Sequence, residues 1–256
     1  MPRTHPIATA IAALLVAGSS VAGAGDWKWT VTPYAWATDV GVDVKVDDRQ
    51  LVDEAISVEE LLEDLDTIVQ VRLEAQKGAH GLFVDLFDVT LSDDATTIAL
   101  PSGSGEAKLT PKMGMTILDA GAFWDPNGDQ QGFQLLYGAR LLNERATIGA
   151  ELSRTDGTTT ARTLEIDDTF VDALVGVRFI RPVGKRFSYQ MQADVSKGGT
   201  ELTWSAGPTL GYSFGETGKY TATAGYRRMV VDFDTAEAVD ATMTLSGFLA
   251  GLRITF

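Results

Sequence analysis

The sequence predicts an all-β fold, a transmembrane antiparallel up-and-down β-barrel of about ten strands with a short helix in the first outer loop. Three observations carry this. Segments of roughly ten residues alternate apolar with polar or small side chains, the period of strands that face lipid on one side and a lumen on the other. The connections between them tend to alternate short and long, as when tight turns lie on one side of a membrane and loops on the other. Aromatic residues gather at the short-turn ends: Trp27, Trp29, Trp124, Phe133, Phe179, Phe187, Tyr189, Tyr212, Phe214, Tyr220 and Phe256. Amphipathic rings sit best at such an interface.

The first 24 residues stand apart. Arg3 gives a positive start, Ile7 to Val16 an apolar core, and Ala22-Gly23-Ala24 a small-residue cleavage site, so residues 1–24 read as a secretory signal and 25–256 as the barrel domain. The formal charge is −14, and −15 once Arg3 leaves with the signal. An acidic chain is a poor partner for nucleic acid. The absence of Cys excludes disulfides and thiolate chemistry. The apolar fraction of 45% is ordinary for a soluble protein, because only one face of each barrel strand is apolar.

In chain order, the first strand runs Trp27 to Ala37, with Lys28, Thr30, Thr32 and Tyr34 on its polar face. Thr38 to Asp66 then breaks the alternation with eleven acids against Lys45 and Arg49. Within it, Ser57-Val58-Glu59-Glu60 matches a capping box, and Val58, Leu61, Leu62 and Leu65 recur at helical spacing. The second strand, Thr67 to Lys77, sets Val69, Val71, Leu73 and Ala75 against Gln70, Arg72, Glu74 and Gln76. After the turn Gly78-Ala79-His80 comes a third, Gly81 to about Leu91, whose phase fades near Asp88 and Val89. Asp93 to Gly105 reads as a loop. The fourth strand, Ala107 to Trp124, slips phase near Ile117-Leu118, which predicts a β-bulge.

Asp125-Pro126-Asn127-Gly128-Asp129 is a strong turn signal. The fifth strand covers Gly132 to Leu142, and Asn143 to Thr163 reads as a long Thr-rich loop. The sixth, Leu164 to Arg181, sets Val171, Ala173, Val175, Val177 and Phe179 against Asp172, Gly176 and Arg178. The seventh begins at Phe187, and its following connection, Lys197-Gly198-Gly199, is unexpectedly short. The eighth alternates from Leu202 to Phe214 and the ninth from Tyr220 to Arg227, before an acidic loop from Asp232 to Asp240. Trp204 and Phe170 are the candidates for a sparser second girdle at the loop end.

The tenth strand carries the strongest signal. Phe248, Ala250, Leu252, Ile254 and Phe256 form an apolar row, interleaved with Gly247, Leu249, Gly251, Arg253 and Thr255. It resembles the barrel-closing strand of Gram-negative outer-membrane barrels, in which a terminal aromatic, here Phe256, is the closing signal. The pieces P-Y-A-W-A (33–37), E-A-Q-K-G-A-H-G-L-F-V-D (74–85), L-V-G-V-R-F (174–179) and A-G-P-T-L-G-Y (206–212) resemble a family of small proteobacterial outer-membrane barrels, porin-like or OmpW-like in general type. The resemblance implies a cell outer membrane location and brings no ligand, cofactor or catalytic residue. The partners implied are outer-membrane lipid and lipopolysaccharide, with periplasmic chaperones and the barrel-assembly machinery. A soluble lipocalin-like barrel with the apolar row inward is the fold alternative.

Phase places ten charges on the inward row: Arg72, Glu74, Asp85, Asp119, Arg140, Asp172, Arg178, Asp194, Arg227 and Arg253. Unpaired charge in a narrow lumen is costly, so these are expected to pair with one another. Two main readings stay open: a salt-bridged core that occludes the barrel, or the charged constriction of a narrow channel for ions or small polar solutes. A proton or ion relay is a third.

The acidic segment also has three readings. It is a solvated outer loop, a lid over the mouth, or a divalent-cation site using clusters such as Asp43, Asp47 and Asp48. Catalysis is not expected. His5 leaves with the signal and His80 falls in a short turn, away from an outer-rim site where a general base would be needed.

Overall fold

In the computed structural model the alternating segments are strands that close on themselves. It describes residues 27–46, 49–57, 59, 65–92, 96–99, 105–154, 159–215, 218–233 and 239–256. The signal segment lies outside the described residues. So does the expected helix apart from its edges, and Leu65 and Asp66 already belong to a strand.

The strands are β1 (Lys28–Val46), β2 (Arg49–Ile56), β3 (Leu65–Lys77), β4 (His80–Ser92), β5 (Thr96–Ala99), β6 (Gly105–Trp124), β7 (Gly132–Arg154), β8 (Thr159–Val183), β9 (Phe187–Gly198), β10 (Leu202–Phe214), β11 (Tyr220–Phe233) and β12 (Val239–Thr255). Ten of them form the wall, each antiparallel to the next, and β12 pairs back onto β1 from Thr30↔Thr255 to Val46↔Val239. Closure pairs the backbone of each wall strand with a neighbour on both sides, as a spanning sheet in hydrocarbon requires, except in the upper part of the β1–β3 seam, whose ladder ends at Pro33↔Val71. β2 pairs with the upper part of β1 and β5 with β6, so both add to hairpins above the wall. The lower end is the one with tight turns, such as those at Gly78 and Gly184, whose φ of 58° and 70° favour glycine.

The apolar rows face outward. Phe248 is 74% exposed and Leu210 62%, while Arg140 and Arg178 are buried, at 2% and 3%. A soluble barrel with the apolar row inward is thereby excluded. Most of the expected lower girdle is exposed on the outside, including Trp27, Trp29, Trp124, Phe133, Phe179 and Phe187. On β7 the outward row is apolar from Phe133 to Leu141 and turns polar at Asn143, which donates to Asp167 and Thr169 of β8 at 2.6 and 2.9 Å. Ten residues span about 33 Å of strand, or roughly 25 Å along the axis of a barrel tilted by about 40°, the height of an apolar membrane band. The outward trio Asp88, Thr116 and Arg145 marks the same upper limit on β4, β6 and β7, with Arg145 Nη2 3.2 Å from Asp88.

Four expectations are corrected. The ladders through Ile117 and Leu118 run without a register shift, so β6 has no bulge there. The phase fades because Ile117 points into a lumen that is itself apolar at that height. Asn143–Arg154 and Thr159–Thr163 are strand rather than loop, since β7 and β8 pair continuously up to Ser153↔Thr159 and stand well above the band. Within Thr38–Asp66 the described residues are mostly strand: β1 continues to Val46, Val40 to Val46 pair with β2, and β3 begins at Leu65. Phe170 does not join an outer girdle. It faces inward and meets the Phe233 ring at a tilt of 56°, centroids 5.3 Å apart.

Candidate functional site

Inward side chains at one height line up along the ladder, and this assembles a charged layer. Arg72 on β3 lies opposite Asp85 on β4, which lies opposite Asp119 on β6, then Arg140 on β7 and Asp172 on β8. Asp85 and Asp119 are like charges in direct register, an unfavourable pair unless each finds a cation. Each does. Arg72 Nη1 donates to Asp85 at 3.0 Å, and Arg140 binds Asp119 through both Nε and Nη2 at 2.7 Å. Arg140 Nη2 also donates to Asp194 at 2.8 Å, so this buried guanidinium ties β7 to β6 and β9.

Glu74 joins a second group. It accepts from Arg72 Nε at 2.8 Å and from Arg178 Nη1 at 2.5 Å, across the barrel from β8. Arg178 Nε donates to Gln134 at 2.6 Å, and Tyr34 donates its hydroxyl to Asp85 at 2.9 Å. Arg72 and Arg178 pack over the rings of Phe83 and Phe123, at 4.9 and 5.2 Å. Such short, charge-assisted contacts among buried and half-buried groups strengthen one another and fix the side chains of this layer.

Below it, Asp125 organises the lower end. It is fully buried and accepts from the side-chain amides of Gln76 and Gln134, both at 3.0 Å, and from the backbone N–H of Gln130 at 2.8 Å. Burial pushes this carboxyl up, but the two amides and the Gln130 and Gly128 N–H groups outweigh it and hold it below the usual range. Phe123, on the inside, covers Gly81, where a Cβ would stand 2.1 Å from the ring.

Above the charged layer the lumen changes character. Trp36, Phe87, Ile117, Leu142, Met229, Val231, Met243 and Leu245 form a buried apolar cluster, with Trp36 edge-on to Phe87 at 5.5 Å. Beside it lies a cavity of about 400 Å³ lined chiefly by apolar residues of β1, β3, β4, β6 and β12, among them Val40, Ile68, Val89 and Met115. Here β1 and β3 part. Their ladder runs only from Lys28↔Gln76 to Pro33↔Val71, and above it Gln70 stands in, accepting from Trp36 N–H and donating to Trp36 O at 3.5 Å.

Three of the ten inward charges depart from mutual pairing. Asp172 is held by Ser196 Oγ at 3.0 Å and by the N–H and Oγ1 of Thr200 at 2.9 and 2.6 Å, with Thr200 supplied by the short β9–β10 connection. Arg253 donates to Gln190 at 3.1 Å, and Arg227 stacks on Trp36 at 4.9 Å. Asp43 lies 3.3 Å from Lys45, while Asp47 and Asp48 fall outside the described residues. Among the described residues no group of three or more acids, His or Cys could hold a metal. His80 opens β4 at the lower end, opposite Lys77. Phe256 exchanges backbone bonds with Trp29 beside the closing ladder, donating at 2.9 Å.

The layer is completed by neutral partners that no charge marks in the sequence: Gln134, Tyr34, Ser196, Ser205 and Thr200. Gln134 and Ser205 sit on the polar rows of their strands, so parity was the available signal. The apolar chamber left a different trace, the fading alternation at Val89 and Ile117.

No family model matches the sequence, and no protein of curated function does. Among solved structures, the outer membrane protease OmpT from Escherichia coli is similar with a TM-score of 0.48 and 9% identity, over 91% of this chain and 98% of that one. Ail, the attachment invasion locus protein of Yersinia pestis, gives 0.29 and 11% over 90% and 99%. A Pseudomonas aeruginosa FadL homologue gives 0.34 and 8% over 90% of each chain. At these values none assigns an activity, and the fold rests on the chain's own closed ladder.

Proposed function

We propose that the protein is a binding barrel of the outer membrane, exported by its N-terminal signal, with a lumen closed to solutes by the charged layer. Lipid and lipopolysaccharide surround its apolar band, and periplasmic chaperones and the barrel-assembly machinery deliver it. Its ligand is apolar, a hydrocarbon chain or small aromatic received in the upper chamber. One observation carries the reading: an apolar cavity of about 400 Å³, lined at its base by Gln70 and Phe87, lies one inward row above the layer of buried ion pairs. Cavities of this size and lining suit small apolar ligands. A floor of desolvated Arg–carboxylate contacts gives such a ligand no onward path. The narrow-channel reading draws on a smaller cavity inside the floor, of about 110 Å³. Binding rather than catalysis fits a mature chain whose His80 sits at the opposite end from the chamber.

The test uses a variant whose sole tryptophan is Trp36 and a series of terminally brominated n-alkanols that quench on contact. Each buried CH₂ contributes about 0.8 kcal/mol, so affinity should rise roughly fourfold per methylene and level off once the chamber is full. Filling the chamber with Val89→Trp, with its own emission subtracted, should abolish the saturable quenching. Quenching that grows with chain length without a limit, alike in both proteins, would mean entry from bulk lipid and would end the chamber reading.

A further inference from the structure

Within the charged layer, positive and negative charge are satisfied differently. The cavity of about 110 Å³ is walled by Arg72, Arg178, Arg227 and Arg253 against Glu74 and Asp85. Arg72 and Arg178 use those two carboxylates between them. That leaves Arg227 and Arg253, which have no carboxylate within ion-pair distance among the described residues. Across the lumen the balance is reversed. Asp119 and Asp194 share the one guanidinium of Arg140, Ser205 adds a neutral donor for Asp194, and Asp172 is held by Ser196 and Thr200 alone.

No such compensation reaches the two arginines. A guanidinium carries five N–H donors and cannot lose its charge in a protein. For ten donors the described residues supply one acceptor, Gln190 Oε1, besides the ring of Trp36 against Arg227. Acceptors must therefore come from what occupies the cavity. Its remaining wall offers hydroxyls and amides that can turn to donate, such as Thr32, Gln192 and Thr223. The volume equals about four waters at their liquid share of ~30 Å³, room for a halide or small oxyanion with a few waters and too small for a bulky organic anion.

We infer that this cavity is a binding site for a small inorganic anion, of the chloride class, held by Arg227 and Arg253. The bound anion supplies countercharge to these two arginines inside the lumen and completes the charged layer on their side. The inference does not depend on the apolar chamber above.

The experiment is ³⁵Cl NMR of the refolded protein in micelles, titrating chloride against gluconate at constant ionic strength. Binding predicts excess line broadening that saturates with chloride, is displaced by bromide, and is not displaced by gluconate. Arg253→Gln and Arg227→Gln should each weaken it by about tenfold or more, the loss expected for removing a charge-assisted contact. Broadening that fails to saturate, or that both folded variants retain, overturns the site. Should either variant fail to fold, the wild-type competition decides alone: displacement by gluconate as readily as by bromide places the anion on the surface and refutes the inference.

Discussion

Arg140→Met is the sharpest probe of the charged layer. The side chain is 2% exposed and makes three contacts of 2.7 to 2.8 Å with Asp119 and Asp194. Methionine retains much of the volume and removes the charge, so the cost is electrostatic rather than a cavity. Two carboxylates are then orphaned in a desolvated lumen, and Asp119 is left facing Asp85 across the ladder. Breaking a buried pair in this way costs about 3–5 kcal/mol. With a urea dependence of about 2–3 kcal/mol per molar, the unfolding midpoint in lipid vesicles should fall by roughly 1–2 M. Adding Asp119→Asn and Asp194→Asn removes the orphaned charges and should restore most of the loss. An unchanged midpoint in the single variant, or no recovery in the triple, would refute the idea that ion pairing holds the floor together.

Val175→Arg places a cation at mid-height on the outer face of β8 and should impair insertion by about 2–4 kcal/mol, read from vesicle folding titrations; normal folding would reverse the inside–outside assignment. Asp125→Asn should destabilise the protein by about 1–3 kcal/mol near neutral pH, since it turns a donor toward the Gln76 and Gln134 amides. Because the folded Asp125 carboxyl lies below its ordinary value, its contribution is present above about pH 4 and is lost as pH falls through the depressed value. The gap between wild type and Asp125→Asn should accordingly close in acid, and a gap independent of pH would count against this source. Gly81→Val drives a side chain into the Phe123 ring and should cost about 1–3 kcal/mol in urea unfolding, less when combined with Phe123→Leu.

The wall was legible because one face of each strand meets lipid: that gave the strand number, the inward row and the lower girdle. Legibility stopped where both faces have the same character. At Ile117 and Leu118 the outward residue meets lipid and the inward one an apolar chamber, so alternation vanished while the ladder stayed regular. Above the band both faces of the β7–β8 hairpin meet water or other polar chain, and a Thr-rich run reads as loop from sequence although it pairs to Ser153. The charged layer was legible as a set of residues and not as a set of pairs. Which arginine reaches which carboxylate depends on barrel curvature, which brings Arg178 to Glu74 across the lumen and leaves Arg253 with Gln190.

The most direct test of an occluded barrel is single-channel recording of the refolded mature protein in a planar bilayer. Insertion without conductance steps, with Arg140→Met opening some, is the predicted result. Discrete, reproducible steps from the wild-type protein would contradict the closed floor and make this barrel a channel.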